Sequence, residues 1–446
     1  MLPTGPRAAR GPAWVRWTVV ALVVGVLALG AVARYLPIQQ SLSRADEYVF
    51  IDALDKASRG DVVEQGEHLD PYTLTLLQCR GISDFGPVGP PCGQPFPLSK
   101  APFGGVTSAD AYTPTYFFLT AWLAKGLLLT PFVQDLLVAG RLVDGLWLWA
   151  GLMATIALAR SLGASGAASV AVALLMLTAP ATRWTNTYLT PDSMSILLGA
   201  VAALAAVKVS RRQWPVWAMV PVAALATAVK VTNIVVLGAV VAFLVLKALP
   251  RPTAQVAGEP RTRELARSLV AAGVVMGTTL ATELAWLWVR SRLAVGPPPE
   301  QNLQPFPLTP HNAGSTMVRF MRGIVVGPDS VNHLGDIASF RGEVISWLLV
   351  SGVVAAALFG YRRREDVVHL GRATMLTLVT AGPGLLVLLL AAQVPVFDLP
   401  ERYASSALPL MGAVTAALVK DRWVALAVLA FAVVVYVHLV VFAGTW

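Results

Sequence analysis

Charged residues are scarce in this sequence. Asp, Glu, Lys and Arg together make up 13% of its 446 residues, whereas hydrophobic residues make up 56%. Soluble domains carry about 25% charged residues, so this composition excludes an ordinary soluble globular protein. Only helices and closed barrels satisfy every backbone polar group in lipid, and the apolar runs here are continuous. The sequence therefore predicts an all-α polytopic membrane protein.

Cysteine and histidine are also rare, with two and five residues. No second pair of Cys or His has the spacing of zinc ligands, so we expect no metal site. Cys79 and Cys92 fall in a stretch rich in Gly and Pro that we place outside the membrane, where thiols oxidise. The sequence favours a disulfide between them over two unpaired cysteines. His68, His311 and His333 have no fixed spacing to acids and are interpreted as solvated loop residues.

Internal repeats and long soluble stretches are absent as well, which predicts one transmembrane domain over residues 1–446. The net charge of +9 does not indicate nucleic-acid binding, because Lys and Arg occur in short clusters between apolar runs. These clusters are typical of topology signals. The first 17 residues contain Arg7, Arg10 and Arg16 and no acid, which places this end in the cytoplasm. A cleaved signal peptide ending near Ala33 is the alternative, although the apolar run is long for one.

The positive-inside rule predicts eleven crossings of the plasma (inner) membrane, with the basic clusters in the cytoplasm. Two segments, residues 37–138 and 289–343, then lie on the periplasmic or extracellular side. Residues 112–130 are apolar enough to cross, but Pro114 and Lys125 equally fit a re-entrant or surface helix, and a crossing there would invert all later loops. The predicted crossings are 17–36, 136–158, 170–180 with flanking residues, 192–208, 215–249 as two helices, 269–288, 344–360, 374–393, 404–419 and 424–443.

The first external segment opens on two adjacent acids, Asp46 and Glu47. Apolar residues recur after them with the spacing of a helix face, so the sequence predicts an amphipathic helix over Ser43–Arg59 that lies on the membrane surface and ends at Gly60. Ser43-x-x-Asp46 also has the spacing of a helix cap. Two interpretations of Asp46 therefore stay open, a cap and a catalytic base.

Further charged residues are predicted on the same external side. A carboxylate near several cations suits a displacement in which a hydroxyl is deprotonated while a phosphate departs. Lys or Arg would stabilise the charge on the leaving phosphate, and Arg can bind it with two hydrogen bonds. The residues that could take part, besides Asp46 and Glu47, are Arg141, Asp192, Lys230 and Arg402.

Each of these residues also has a purely structural interpretation. Arg141 has the spacing of a local ion pair with Asp144, and Arg402 adjoins Glu401. Asp192 follows a proline and fits a helix N-cap, whereas a lysine such as Lys230 between two apolar helices is costly unless it reaches a polar cavity. Aromatic residues near segment ends are interpreted first as interface anchors, Trp184 and Tyr188 among them.

The order of these features resembles the GT-C superfamily, integral-membrane glycosyltransferases that use polyprenyl-phosphate sugars. An acid pair in the first external loop is typical of that family, and short motifs then follow in the same order. The last of them is similar to a pattern in a predicted actinobacterial branch. The matching elements are Asp46-Glu47, Tyr112-Thr113-Pro114, Arg141-Leu142, Thr190-Pro191-Asp192, Val229-Lys230-Val231 and Arg402-Tyr403 with Pro409.

The resemblance implies a GT-C-like fold with juxtamembrane helices in the first external loop and transfer of a sugar to a cell-envelope glycan or lipid. Asp46 would be the general base, with Glu47 as its neighbour or substitute, and Asp192 would shape the sugar pocket. Lys230 and Arg402, with Tyr403 beside it, would bind the donor phosphate without a metal ion or other cofactor. The reaction would invert the anomeric centre, and the sugar, arabinose or mannose, is not specified by these residues.

Two departures from the family pattern are present. Tyr112-Thr113-Pro114 replaces the usual His-Pro-Pro, and no large C-terminal external domain follows the last crossing. Two other functions compete with transfer. A transporter or flippase of an envelope lipid would use the same cavity without making bonds, and paired repeats and charges at the bilayer midplane would favour it. A non-catalytic partner in an envelope complex is the other.

Overall fold

A computed structural model describes residues 13–44, 46–249, 261–299, 307, 309–326, 337–359, 365–391 and 398–441. Three residues interpreted from the sequence lie outside the described residues: Arg7, Arg10 and His333.

The described chain is helical and contains no strand, only three isolated bridges. Side chains cap several helices; for example, Asp135 accepts a hydrogen bond from the Leu137 N–H at 2.7 Å. The sixteen α-helices of the described residues are α1 (Ala13–Tyr35), α2 (Glu47–Arg59), α3 (Pro71–Cys79), α4 (Thr115–Leu128), α5 (Leu136–Ser161), α6 (Gly166–Leu177), α7 (Pro180–Thr187), α8 (Ser195–Ser210), α9 (Met219–Val229), α10 (Ile234–Ala248), α11 (Arg261–Leu293), α12 (Pro310–Val326), α13 (Ile337–Phe359), α14 (Glu365–Ala391), α15 (Leu408–Leu418) and α16 (Arg422–Val441).

Eight segments of the described chain are long and apolar enough to cross a membrane. A ninth is formed if α6 and α7, which meet at a bend of 65°, make one broken span. These segments mark the chain as a multi-pass membrane protein. The eight are Trp14–Tyr35, Leu136–Ser161, Pro191–Ser210, Val231–Ala248, Leu265–Leu293, Arg341–Phe359, Glu365–Ala391 and Arg422–Val441.

The predicted number of eleven crossings is therefore met only in part. The eight spans coincide with eight predicted crossings, and the bent pair covers the one predicted around residues 170–180. The other two predicted crossings contain shorter apolar helices, Val216–Val229 and α15 with 11 residues. A straight helix needs about 20 residues to cross, so the count of eleven stays a prediction.

Helix α4 has 14 residues, so at about 1.5 Å per residue it is too short to cross the hydrocarbon. It is not among the eight spans. One side of it packs on α5 through Tyr116 and Thr120, whereas Trp122 is 75% exposed. Its length favours the re-entrant or surface arrangement for residues 112–130, and the choice between the two arrangements stays a prediction.

The predicted surface helix differs from α2 at its start and in its burial. Helix α2 begins at Glu47 rather than Ser43, and it ends at Gly60 as predicted, with φ of 95° at that glycine. Ten of its 13 residues are buried, including Asp52 and Lys56 on the polar side. The prediction of a helix on the membrane surface is wrong, because the loop after α2 covers its polar side as well, through Lys56 bonded to the His68 carbonyl and Asp52 bonded to the Asp70 N–H.

Three breaks between helices meet at one end of the bundle. A short 3-10 turn, Pro191–Met194, precedes α8; Lys230 lies at the turn from α9 to α10; and a longer 3-10 segment, Glu401–Ala407, precedes α15. Gly199 of α8 allows the last of these to approach closely, because a Cβ at this position would lie 1.9 Å from the Ser406 carbonyl oxygen. The polar groups at all three breaks therefore come together inside an apolar bundle.

Candidate functional site

Glu47 and Arg141 form a buried, fully bonded ion pair. Arg141 donates from Nε to Glu47 Oε1 at 2.8 Å and from Nη2 to Oε2 at 2.7 Å. Two more of its hydrogens go to the backbone carbonyls of Gln39 and Ser41. Glu47 also accepts the Leu189 N–H at 2.7 Å. Because both side chains are no more than 1% exposed and their hydrogen bonds are used internally, this pair has a structural role.

Neither acid caps α2 with its side chain. The Ser43 N–H donates to Glu47 Oε2 at 2.7 Å, whereas Asp46, in the N-cap position, makes no side-chain capping bond. The expected Ser43-to-Asp46 cap is therefore wrong, since the helix starts four residues later than the spacing indicated. Both carboxylate oxygens of Glu47 therefore accept hydrogen bonds inside the protein, whereas the Asp46 side chain is free of a capping role.

Asp46 faces the other way from its neighbour. Its backbone is left-handed, with φ of 66°, which Asp tolerates better than most residues. Its side chain is 47% exposed, and the carboxylate accepts a hydrogen bond of 3.4 Å from Arg402 Nη2. The carboxylate of Glu47 is thus buried, whereas that of Asp46 is half exposed and accessible to a ligand.

Lys230 and Asp192 form a second buried ion pair. Lys230 Nζ donates to Asp192 Oδ1 at 2.6 Å, and both side chains are no more than 1% exposed. Asp192 is not the N-cap of its turn, as the structural alternative supposed. Thr190 is, and its hydroxyl accepts the Asp192 N–H at 3.3 Å. The carboxylate of Asp192 is therefore available to the lysine.

Arg402 joins Asp46 to this second pair, but loosely. Its Nε lies 3.4 Å from Asp192 Oδ2 without hydrogen-bond geometry, so within the described part of the chain this buried N–H has no hydrogen-bond partner. Its bond to Asp46 is equally long. A guanidinium with five N–H donors thus keeps unused donors inside the protein. Arg402 differs in this from Arg141, each of whose three side-chain nitrogens donates a hydrogen bond.

Aromatic rings surround the two cations. The Tyr403 ring centroid lies 4.8 Å from Lys230 Nζ, and that of Tyr112 lies 5.8 Å away. Trp184 is 9% exposed, and its ring centroid lies 5.1 Å from Arg402 Cζ. These contacts stabilise positive charge in an apolar setting. The interpretation of Trp184 as an interface anchor is wrong, because its ring is buried against the site.

The Tyr112-Thr113-Pro114 motif lies beside the same group. The Thr113 hydroxyl donates to the Ala228 carbonyl, two residues before Lys230, and so ties the motif to the α9–α10 turn. Sequence reasoning had used Tyr112 only as part of a resemblance. Its position next to Lys230 depends on a contact between residues more than a hundred apart.

Asp144 is a buried acid whose role was missed. Its carboxylate accepts hydrogen bonds from the hydroxyls of Tyr116 and Ser193, both at 2.7 Å, and from the Thr190 N–H at 3.2 Å. It thereby joins α4 and α5 to the turn that carries Asp192. Asp144 lies one helical turn after Arg141 in the sequence, and that spacing predicts an ion pair between them rather than the hydrogen bonds that Asp144 makes.

Both predicted local ion pairs are wrong. Arg141 binds Glu47 rather than Asp144, and Arg402 contacts Asp46 and Asp192 rather than Glu401. Glu401 instead lies 3.8 Å from Arg319 of α12. Residues adjacent in a 3-10 turn point in different directions, so sequence neighbours here reach different partners. The structure brings Asp46, Asp192, Lys230, Arg402 and Tyr403 together and keeps Glu47 and Arg141 behind them.

A third buried pair lies within α2, away from this group. Lys56 Nζ lies 3.0 Å from Asp52 Oδ2 and 2.9 Å from Glu67 Oε1. Burial raises the pKa of Asp52 to about 6, although Lys56 opposes the rise. Burial lowers the pKa of Lys56, but the two carboxylates outweigh that and raise it. One lysine thus serves two acids, which leaves Asp52 incompletely neutralised.

Cys79 and Cys92, the predicted pair, form a disulfide in the structure. Within the described ranges, no three His, Cys, Asp or Glu side chains are grouped so that they could hold a metal ion.

We call Asp46, Asp192, Lys230, Arg402 and Tyr403 the charged cluster.

Comparison with known proteins does not extend these observations. No protein-family model matches the chain, and no curated protein matches it significantly. The resemblance to the GT-C superfamily is therefore carried by the sequence motifs alone.

Proposed function

We propose that this protein is a membrane glycosyltransferase of the GT-C type. It would move a sugar from a polyprenyl-phosphate donor to a glycan or lipid acceptor of the cell envelope. Asp46 would act as the general base, and Lys230 and Arg402 would hold the donor phosphate. The charged cluster would face the periplasm or the exterior, with the N-terminus in the cytoplasm of a cell whose plasma membrane the chain spans.

The observation that carries the proposal is the difference between two buried arginines. Each of the three side-chain nitrogens of Arg141 donates to Glu47 or a backbone carbonyl, whereas Arg402 has a buried Nε–H without a hydrogen-bond partner among the described residues. An unused buried N–H costs roughly 1–3 kcal/mol, so such a group fits an absent anionic ligand. Phosphate suits it, because a guanidinium binds phosphate oxygens with parallel hydrogen bonds.

The proposed step is one displacement at the anomeric carbon. The oxygen of the acceptor hydroxyl forms a bond to that carbon while the bond from the carbon to the donor phosphate oxygen breaks. The hydroxyl proton passes to the carboxylate of Asp46, and the polyprenyl phosphate leaves with one additional negative charge. One displacement by one attacking oxygen inverts the configuration.

The cations are arranged for the charge that develops in this step. Lys230 is held by Asp192 and two aromatic rings, and Arg402 is within reach of the same carboxylate. Fixed positive groups in a water-poor site stabilise a leaving phosphate without reorganisation. With these two charges present, no metal ion is part of the proposal. Membrane lipids are the expected surroundings of the donor, which would enter from the bilayer.

The alternative function, transport of an envelope lipid, would require the opposite end of the bundle to open. Arg141 lies near the start of α5 and Ser161 at its end, so the Ser161 end is opposite the charged cluster. There Arg211, which follows α8, donates from Nε to Asp366 of α14 at 2.7 Å and from Nη1 to the Ser161 carbonyl at 2.9 Å. Lys247 of α10 also binds Asp366. Four helices, α5, α8, α10 and α14, are thus linked at that end, and these links would have to break for it to open.

The test is transfer by the purified protein in lipid nanodiscs. Labelled mannosyl and arabinosyl polyprenyl phosphates are offered with extracted envelope glycans and lipids as acceptors. We expect labelled product from the wild type and a loss of about 100- to 10,000-fold in Asp46→Asn, because general base catalysis contributes that much. Asn also tolerates the left-handed backbone.

Asp61→Asn is the matched control, because its side chain is 63% exposed and contacts Arg59 rather than the charged cluster. It should transfer at the wild-type rate. Full activity of Asp46→Asn would refute the assignment of the base. Donor-independent movement of labelled lipid across the membrane, with no product, would refute the enzyme in favour of the transporter.

A further inference from the structure

The loop closed by the disulfide pairs with the segment that leads to Asp46. The Leu42 N–H donates to the Gly81 carbonyl at 2.9 Å, and the Ser83 N–H donates to the Leu42 carbonyl at 2.8 Å. These bonds form an isolated parallel bridge between Leu42 and Ile82. We call residues 79–92 the disulfide loop and residues 39–44 the Asp46 approach.

Side chains add to this pairing. The hydroxyls of Ser41 and Ser83 are hydrogen-bonded at 2.9 Å. Arg44 and Asp84 contact each other at 3.5 Å, although both are largely exposed and contribute little. The disulfide loop therefore touches the Asp46 approach at Ser41, Leu42 and Arg44.

The other side of the approach is held by the structural ion pair. Arg141 binds the carbonyls of Gln39 and Ser41, and Glu47 binds the Ser43 N–H. The approach is thus enclosed between the Glu47–Arg141 pair and the disulfide loop. The first wall is an ion pair buried between α2 and α5, whereas the second is a loop, so we infer that the loop decides how tightly the approach is held.

That second wall has little packing of its own. From Asp84 to Cys92 most residues are exposed, and Phe85 is 75% exposed. Its position comes from the disulfide, from the Val88 N–H bonded to the Leu77 carbonyl at 3.0 Å, and from a turn in which Ile82 and Gly86 exchange two backbone bonds. A segment with few buried apolar contacts is locally unstable unless it is linked.

Asp46 depends on the approach more than a typical catalytic residue would. It makes no capping bond, and within the described chain its carboxylate is bonded only to Arg402, at 3.4 Å. Its carbonyl accepts the Val49 and Phe50 N–H groups of α2, so the helix holds its backbone on one side and the approach leads to it on the other. A misplacement of about 1 Å in a reacting group can cost about 100-fold in rate.

We propose that the disulfide loop is a positioning element for Asp46, so that sugar transfer requires the oxidised Cys79–Cys92 pair. The inference rests on the proposed function, since it concerns the same base. Reduction would release the bridge to Leu42 and loosen the approach. It would leave Lys230 and Arg402, which the loop does not contact, able to hold the donor phosphate.

The kinetic test compares a double variant, which carries both Cys79→Ser and Cys92→Ser, with the wild type in nanodiscs. We expect kcat to fall about 10- to 100-fold while the KM for the donor changes less than about threefold. Ser83→Pro, which keeps the disulfide but removes the N–H donated to Leu42, should give the same split. Ser99→Ala, at an exposed serine of the neighbouring turn, should behave as wild type. An unchanged kcat in the first two variants overturns the proposal.

A second measurement needs no substrate. Amide hydrogen exchange is followed in the oxidised protein and after reduction with a phosphine. We expect exchange in residues 41–46 to rise at least about tenfold on reduction while α5 exchanges as before, because only the bridge to the loop is lost. Unchanged exchange overturns the proposal even if the protein transfers sugar. If exchange becomes faster on reduction but the protein transfers no sugar, the disulfide loop does position Asp46, and only the proposed function is refuted.

Discussion

Glu47 and Asp46 are adjacent in the chain, yet their carboxylates reach two different arginines. Glu47 is bonded to Arg141 at 2.7 and 2.8 Å and is fully buried, whereas Asp46 contacts Arg402 at 3.4 Å and is 47% exposed. The left-handed backbone at Asp46 turns it away from the helix that Glu47 begins. The two acids are therefore expected to respond differently to the same chemical change.

We expect Glu47→Gln to destabilise the protein and Asp46→Asn to leave its stability nearly unchanged. Removing one partner of a buried ion pair costs about 3–5 kcal/mol, because Arg141 would remain buried with an uncompensated charge. A loosely bonded, half-exposed carboxylate contributes about 0–1 kcal/mol. The melting temperatures of the two variants in the same detergent check this. Equal melting temperatures would show that the Glu47–Arg141 pair is not structural.

Arg402→Met is expected to raise the KM for the polyprenyl-phosphate donor about 10- to 100-fold. A hydrogen bond to a charged group contributes about 1.5–3 kcal/mol, and every 1.4 kcal/mol is tenfold in affinity. Arg402→Lys keeps the charge but lacks the planar guanidinium, so its donor KM should lie between those of the wild type and Arg402→Met. Arg319→Met, which removes an arginine bound to Asp398, is the control. A donor KM that is the same in all three variants would contradict phosphate binding by Arg402.

The stability of the wild type should depend on pH through Asp52. Its pKa of about 6 in the folded protein lies above the value of 3.8 for a free side chain, so the folded state binds the proton more tightly. This contribution to stability is complete below about pH 4 and is lost as the pH rises through about 6. Relative to Asp52→Asn, which cannot ionise, the wild type should lose melting temperature over that interval. Asp61→Asn is the exposed control, and parallel curves for wild type and Asp52→Asn would contradict the assignment.

Asp366→Asn separates an enzyme from a transporter. The substitution weakens the links from α14 to α8 and α10 and should cost roughly 1–3 kcal/mol of stability. In an enzyme with one-sided access, sugar transfer per folded molecule should stay within about threefold of wild type, because this end lies far from the charged cluster. Transfer rate and melting temperature are measured together. A rate that changes more than about tenfold at unchanged stability would indicate that this end opens during function.

Much of the architecture was predictable because lipid imposes one solution on an apolar chain. Continuous runs of apolar residues must be helical in a bilayer, and eight predicted crossings coincide with eight spans. Lys230 was placed correctly at a turn between two apolar helices, because a lysine there is costly without a polar partner. Where helices are broken or short, as in α7 and α15, length and composition do not decide whether the chain crosses.

Sequence alone thus determined that this is a helical membrane protein and which residues are candidates for chemistry. Tertiary structure decided which candidates belong together. Glu47 and Arg141 are 94 positions apart, and Asp46 and Arg402 are 356 positions apart, so no local pattern could assign these partners. The partner of an ionic side chain depends on backbone direction and burial. At the left-handed residue Asp46 the chain turns, so that Glu47 lies in the core while Asp46 lies in the charged cluster.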